Sequence, residues 1–123
     1  MKKYFTVVLL VTLSGILSPF YGQWQKHIID SNLPQPTVVY AGDIDSDNDL
    51  DLALTSWISG DVVWYENILP NPNWPKHTID ADLNAAIGVS IGDIDGDNNL
   101  DVAAVGYLAN DVVWYENILP GTN

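Results

Sequence analysis

The sequence contains no cysteine. Disulfides and a lipid-modified cysteine anchor are both excluded, so a secreted domain of this size needs another staple. Basic residues are nearly as scarce: 4 of 123 residues are Lys or Arg, against 16 Asp or Glu. Affinity for phosphate backbones comes from Lys and Arg, so nucleic acid is excluded as a partner. Convincing helical periodicity is missing beyond residue 22. Disorder is the usual reading of high charge, but 47% of the chain is hydrophobic and alternates as strands do. There is no Ser-His-Asp pattern with a nucleophile elbow and no phosphate loop, so nothing reads as an enzyme.

One long apolar run is present. Met1-Lys2-Lys3 is a basic start, residues 4–17 (YFTVVLLVTLSGIL) are uncharged, and residues 18–22 (SPFYG) break the run before Gln23. That is the order of a secretory signal peptide. Cleavage is expected after Gly22, although Phe20 stands where a small residue is preferred. An uncleaved anchor is the alternative, but about 14 apolar residues fall short of the ~20 a spanning helix needs. The chain thus reads as a signal peptide at 1–22 and a secreted or cell-surface product with no membrane contact after cleavage. In that product Lys26 and Lys76 face all 16 acidic residues, a net charge of −14. Cations are the simplest means of neutralising it.

Self-comparison gives a period of 50 residues. Trp24–Asp30 (WQKHIID) returns as Trp74–Asp80 (WPKHTID), and Gly42–Asp51 (GDIDSDNDLD) as Gly92–Asp101 (GDIDGDNNLD). Asp61–Pro70 (DVVWYENILP) returns unchanged as Asp111–Pro120. The repeats are placed at 23–73 and 74–123. Each reads as four short strands. The first strands are expected at 24–30 and 74–80, and the second, rich in β-branched residues, at 37–42 and 87–92. The third are expected at 50–57 and 100–107, where Leu50, Leu52 and Leu54 alternate with Asp51, Ala53 and Thr55 and predict one buried face. The fourth are expected at 62–67 and 112–117, after turn residues at 59–61 and 109–111. Four short antiparallel strands per repeat make a β-propeller blade, so the expected fold is all-β, a partial propeller of two four-stranded blades. An eight-stranded sandwich is the alternative, and it rarely carries such a period.

The motif that carries chemistry is Asp-x-Asp-x-Asp-Asn-x-Leu-Asp. Its acids are Asp43, Asp45, Asp47, Asp49 and Asp51 in the first copy; in the second they are Asp93, Asp95, Asp97 and Asp101, with Asn99 at the place of Asp49. On a strand these charges would crowd one face. A tight loop around a hard cation explains them, because Ca²⁺ takes six to eight oxygens in a flexible shell. Side chains at positions 1, 3 and 5 converge, position 7 offers its carbonyl, and the carboxylate at 9 closes the shell. Asn48 and Asn98 stand where the turn needs a residue tolerant of positive φ. Mg²⁺ prefers to keep its waters, and zinc or copper would want His or Cys. An EF-hand needs Glu at position 12, where Leu54 and Ala104 stand.

With these loops, and with Val-Trp-Tyr-Glu-Asn at 63–67 and 113–117, the sequence resembles the FG-GAP-like (VCBS) repeats, the family of integrin α-subunit propeller blades, in its secreted bacterial branch. The resemblance covers everything after the signal peptide. It implies two Ca²⁺ sites, one per repeat. Their ligands would be the side chains of Asp43, Asp45, Asp47 and Asp51, and of Asp93, Asp95, Asp97 and Asp101, with backbone carbonyls from Asp49 and Asn99. Two features depart from the family pattern. Asn48 and Asn98 replace its usual Gly, and two blades stand where seven are typical.

The remaining conspicuous residues read as structural. His27 and His77 are repeat-equivalent, as are Glu66 and Glu116, and catalysis would not need duplicates. Trp64, Tyr65, Trp114 and Tyr115 suit the wedges within and between blades. Trp57 and Tyr107 lie at equivalent loop positions and are a less favoured ligand-stacking surface. Two blades leave two sheet flanks exposed, so a fragment of a longer protein is expected, with a truncated product or self-association as alternatives. The expected function is a calcium-binding scaffold or adhesion module contacting an extracellular protein or glycan. The alternative is a set of non-catalytic accessory blades of a secreted carbohydrate-active or other hydrolytic enzyme.

Overall fold

The computed structural model describes residues 24–119. The expected signal peptide at 1–22 lies outside them. The described chain is all-β, with seven strands and no helix. Strands β1 (Pro36–Gly42), β2 (Asp51–Ser56), β3 (Val62–Tyr65) and β4 (Lys76–Asp80) form one antiparallel sheet in that order. Strands β5 (Ala86–Gly92), β6 (Asp101–Gly106) and β7 (Asp111–Tyr115) form a second.

The expectation of two four-stranded sheets is corrected here: among the described residues the second sheet has three strands. The expected strand at 24–30 is also corrected, because that segment has no regular structure. Its repeat-equivalent, 74–80, supplies β4, which pairs with β3 of the preceding repeat. A strand persists only where another edge satisfies its backbone groups. Residues 76–80 have the edge of β3, whereas residues 24–30 have no pairing edge among the described residues. The sheets are therefore offset from the sequence repeats, the first running across the joint between them.

Register follows from the tight links. Gly42 opposes Asp51, and Gly92 opposes Asp101. Leu52 opposes Tyr65, and Val102 opposes Tyr115. The β2–β3 and β6–β7 turns take left-handed conformations at Gly60 (φ 71°) and Asn110 (φ 60°). A side chain at Gly60 would also approach the Leu83 carbonyl at 3.1 Å, where the Leu83 amide already donates to the Gly60 carbonyl.

The two sheets share one core. Ala53, Val62 and Trp64 of the first pack with Val89, Val102 and Ala104 of the second, along with Ile44, Leu83 and Ala86. The Thr37 hydroxyl bonds both Thr55 and the Ala86 carbonyl, at 2.8 and 3.1 Å, tying β1 to β2 and to β5. In β2 the buried face is the one opposite to the leucines: Asp51, Ala53 and Thr55 are buried, Leu52 and Leu54 are half-buried, and Leu50 is exposed. The second sheet covers the first face. On the leucine face, Leu52 and Leu54 line a cavity with residues of the segment 26–33.

Candidate metal centres

Each acidic loop is the link between paired strands, from β1 to β2 and from β5 to β6. The Gly42–Asp51 and Gly92–Asp101 pairs pin both ends, forcing eight residues into a compact turn. Asn48 and Asn98 both stand at φ 73°, as the turn chemistry requires. A second left-handed residue precedes each, Ser46 at φ 64° and Gly96 at φ 86°.

The loops are organised by their own carboxylates. Asp43 accepts the Asp47 and Asn48 amides at 3.0 and 3.1 Å, and Asp47 accepts the Asp49 amide at 2.8 Å. Asp45 takes a longer bond, 3.3 Å, from the Asp47 amide. In the second loop Asp93 accepts from Gly96 and Asn98 at 2.8 and 3.1 Å, and Asp95 from Asp97 at 3.0 Å. Asp97 accepts from both the backbone and the side chain of Asn99, at 2.7 and 2.8 Å.

Carboxylate oxygens of Asp43, Asp45 and Asp47 lie within 4.8 Å of one another, as do those of Asp93, Asp95 and Asp101. The carboxylates of Asp49 and Asp51 in the first loop and of Asp97 in the second are outside these groups. The donors are all oxygen, which suits a hard cation such as Ca²⁺. Among the described residues the one close contact between a basic and an acidic side chain is His77–Glu66, so no basic side chain neutralises either loop. Burial pushes the Asp45 carboxyl above its ordinary range, and the charges of Asp51 and Asp47 push it further.

Asp51 and Asp101 have a structural task as well. Both are fully buried. Asp51 accepts the amides of Ile44 and Asn67, each at 2.9 Å. Asp101 accepts those of Ile94 and Asn117, at 2.9 and 2.8 Å. Each carboxylate thereby ties the start of the acidic loop to the segment after the third strand of its sheet. Burial raises the Asp51 carboxyl, the two amide bonds oppose that, and the charges of Asp47 and Asp43 add to it.

Sequence reasoning missed three sets of partners. Asn67 donates to the Leu50 carbonyl at 3.2 Å. Asn117 donates to the Leu100 carbonyl at 3.1 Å and, across the sheets, to the Ile44 carbonyl at 2.7 Å. The hydroxyls of Tyr65 and Tyr115 donate to Asp30 and Asp80 at 2.6 and 2.7 Å. All but the Asn117–Ile44 bond recur with the repeat, but an unchanged run such as VVWYENILP gives no sign of which member bonds what.

Among the residues read as structural, His77 stacks on Trp64 with ring centroids 4.3 Å apart and bonds Glu66 at 2.9 Å. Trp64 and Tyr65 are core residues, whereas Trp114 is exposed. Trp57 and Tyr107 are both exposed and stack at 5.8 Å. Comparison with protein-family models, with curated proteins and with solved structures finds no match to this chain.

Proposed function

We propose that the chain is a secreted, calcium-stabilised module of the FG-GAP-like (VCBS) kind. In this reading its sheets are β-propeller blades, and its role is adhesive or scaffolding contact with an extracellular protein or glycan. The observation that carries it is the pair of acidic loops at equivalent strand junctions, each converging three carboxylates that pair with no basic side chain among the described residues. Ligands would come from Asp43, Asp45, Asp47 and Asp51 and from Asp93, Asp95, Asp97 and Asp101, with carbonyls of Asp49 and Asn99 completing each shell. The stacked Trp57 and Tyr107 offer an exposed aromatic surface for contact. Thermal unfolding followed by circular dichroism, in chelator and then in ~10 mM Ca²⁺, tests the metal reading. At a hundredfold excess over Kd each site adds about 2.7 kcal/mol, so the melting temperature rises by several degrees. In the Asp45→Ala/Asp95→Ala double variant most of that rise is lost. A double variant that keeps the full calcium response would sink the assignment.

A further inference from the structure

Asp61–Pro70 and Asp111–Pro120 are the same ten residues, yet the two copies sit in different environments. Val62 is fully buried and Val112 is 83% exposed; Trp64 is 7% exposed and Trp114 45%. What covers the first copy is visible. The second sheet packs on Val62 and Trp64, and β4 lies along the edge of β3 in the register Lys76 to Tyr65, His77 to Trp64 and Thr78 to Val63. The Glu66 amide extends this ladder, donating to the Pro75 carbonyl at 3.0 Å. Beside it, His77 stacks on Trp64 and bonds Glu66. Among the described residues nothing pairs with the outer edge of β7.

The chain holds a second version of the covering strand. Residues 24–30 (WQKHIID) match Trp74–Asp80 (WPKHTID) at five of seven positions. The differences, Gln25 for Pro75 and Ile28 for Thr78, keep every group used in the β3–β4 junction. In this structure the segment is unpaired: Trp24 is 90% and Ile28 68% exposed. It lies against the first sheet, lining a cavity with Leu52 and Leu54, and Tyr65 holds its Asp30. The edge of β7 is at the far side of the other sheet.

We propose that residues 26–30 of one copy add to β7 of a second copy, as its fourth strand. The register is Lys26 to Tyr115, His27 to Trp114 and Ile28 to Val113, so that His27 stacks on Trp114 and pairs with Glu116. The Asp30–Tyr65 bond does not oppose this. Asp80 pairs with Val62 in the first sheet while accepting the Tyr115 hydroxyl of the second. Asp30 does the same, bridging an acceptor copy and the first sheet of its own. The faces match too. The Ala53 and Val62 face of the first sheet packs on the Val102 and Ala104 face of the second. The outer flanks are the equivalents in reverse, with Leu52 and Leu54, half-buried beside the segment 26–33, on one copy and the exposed Val105, Val112 and Trp114 on the other. Chemistry agrees at the Tyr115 end, where His27 meets Glu116 as His77 meets Glu66. Addition of a strand to an open edge is a common mode of recognition, and because the two patches differ the contact is head-to-tail. This proposal rests on the pairing seen inside the chain and not on the metal reading.

The absence of cysteine makes the test specific. Ile28→Cys and Val113→Cys are made in separate full-length chains, mixed in ~10 mM Ca²⁺ and oxidised. Because Glu66 and Pro75 are a hydrogen-bonded pair, the residue pair three steps away is a non-hydrogen-bonded one. Its Cα atoms lie about 4.5 Å apart, within disulfide range. The mixture is expected to give a disulfide-linked dimer of one chain of each kind. Ile28→Cys with Val112→Cys, which points to the opposite face, is expected not to. Sedimentation of the unmodified chain is expected to show reversible association. Glu116→Pro removes the edge-facing amide without touching the β6–β7 ladder, and should weaken that association at least tenfold. A chain that stays monomeric to about 0.1 mM, or cross-linking that does not discriminate Val113 from Val112, would overturn the proposal. Failure of the metal reading shows instead in the melting temperature.

Discussion

Asp51→Asn separates the structural task of an acidic loop from its metal task. The Asp51 carboxylate accepts two buried amides, from Ile44 and Asn67. A carboxamide has one accepting oxygen, and its NH₂ would face the other amide. One buried donor is then left unpaired, at about 1–3 kcal/mol. Part of this is returned, because burial already disfavours the Asp51 charge, and a net loss of about 1–2 kcal/mol is expected. Asp101→Asn should cost the same, since its two bonds match. Asp45→Asn is the control. Its amide oxygen can still accept the one long bond from Asp47, and the change relieves repulsion from Asp51 and Asp47, so its effect without metal stays within about 0.5 kcal/mol. The assay is urea unfolding in chelator, with unchanged m-values as evidence that the same transition is followed. In calcium all three variants lose part of the metal increment, so chelator is the discriminating condition. Equal stability of the Asp51→Asn and Asp45→Asn chains in chelator would refute the structural role.

Two further outcomes are expected. Val62→Ala should cost about 1.5–3 kcal/mol while Val112→Ala in the monomer stays within about 0.5 kcal/mol, although both sit in the same ten residues; urea melts of the two variants measure the difference. The Asp30 carboxyl is held below its ordinary value, chiefly by the Tyr65 hydroxyl and then by the Asn32 amide. Its folded value lies below the unfolded one, so its contribution is present above the unfolded value and lost as pH falls through the folded one. Tyr65→Phe should move Asp30 back towards the ordinary value and weaken this acid sensitivity, as read by an NMR titration of that carboxyl.

The class of the fold was legible in the sequence because period-2 patterning and turn residues are local properties. Asn48 and Asn98 took the left-handed φ that turn chemistry asks for. What the sequence hid was partnership. WQKHIID and WPKHTID carry the same strand pattern, yet only the second forms a strand, because a neighbouring edge decides it. The leucines of β2 pointed to the wrong buried face for a related reason. Ala53 and Thr55 are the less apolar side of the strand, but the second sheet happens to lie there. The acidic loops were legible as loops; the amide bonds that make Asp51 and Asp101 structural were not, since their donors at 67 and 117 are 16 residues away.

The first sheet takes three strands from one repeat and its last from the next. That offset makes the array extensible by gene duplication. An extra 50-residue unit inserted at the joint between residues 73 and 74 would donate its first strand to the sheet before it. It would then receive Lys76–Asp80 as the last strand of its own sheet. Every existing pairing keeps its local sequence, and the number of open edges does not grow. Had each repeat closed its own sheet, added units would be joined by linkers alone; here each arrives already stitched to its neighbour.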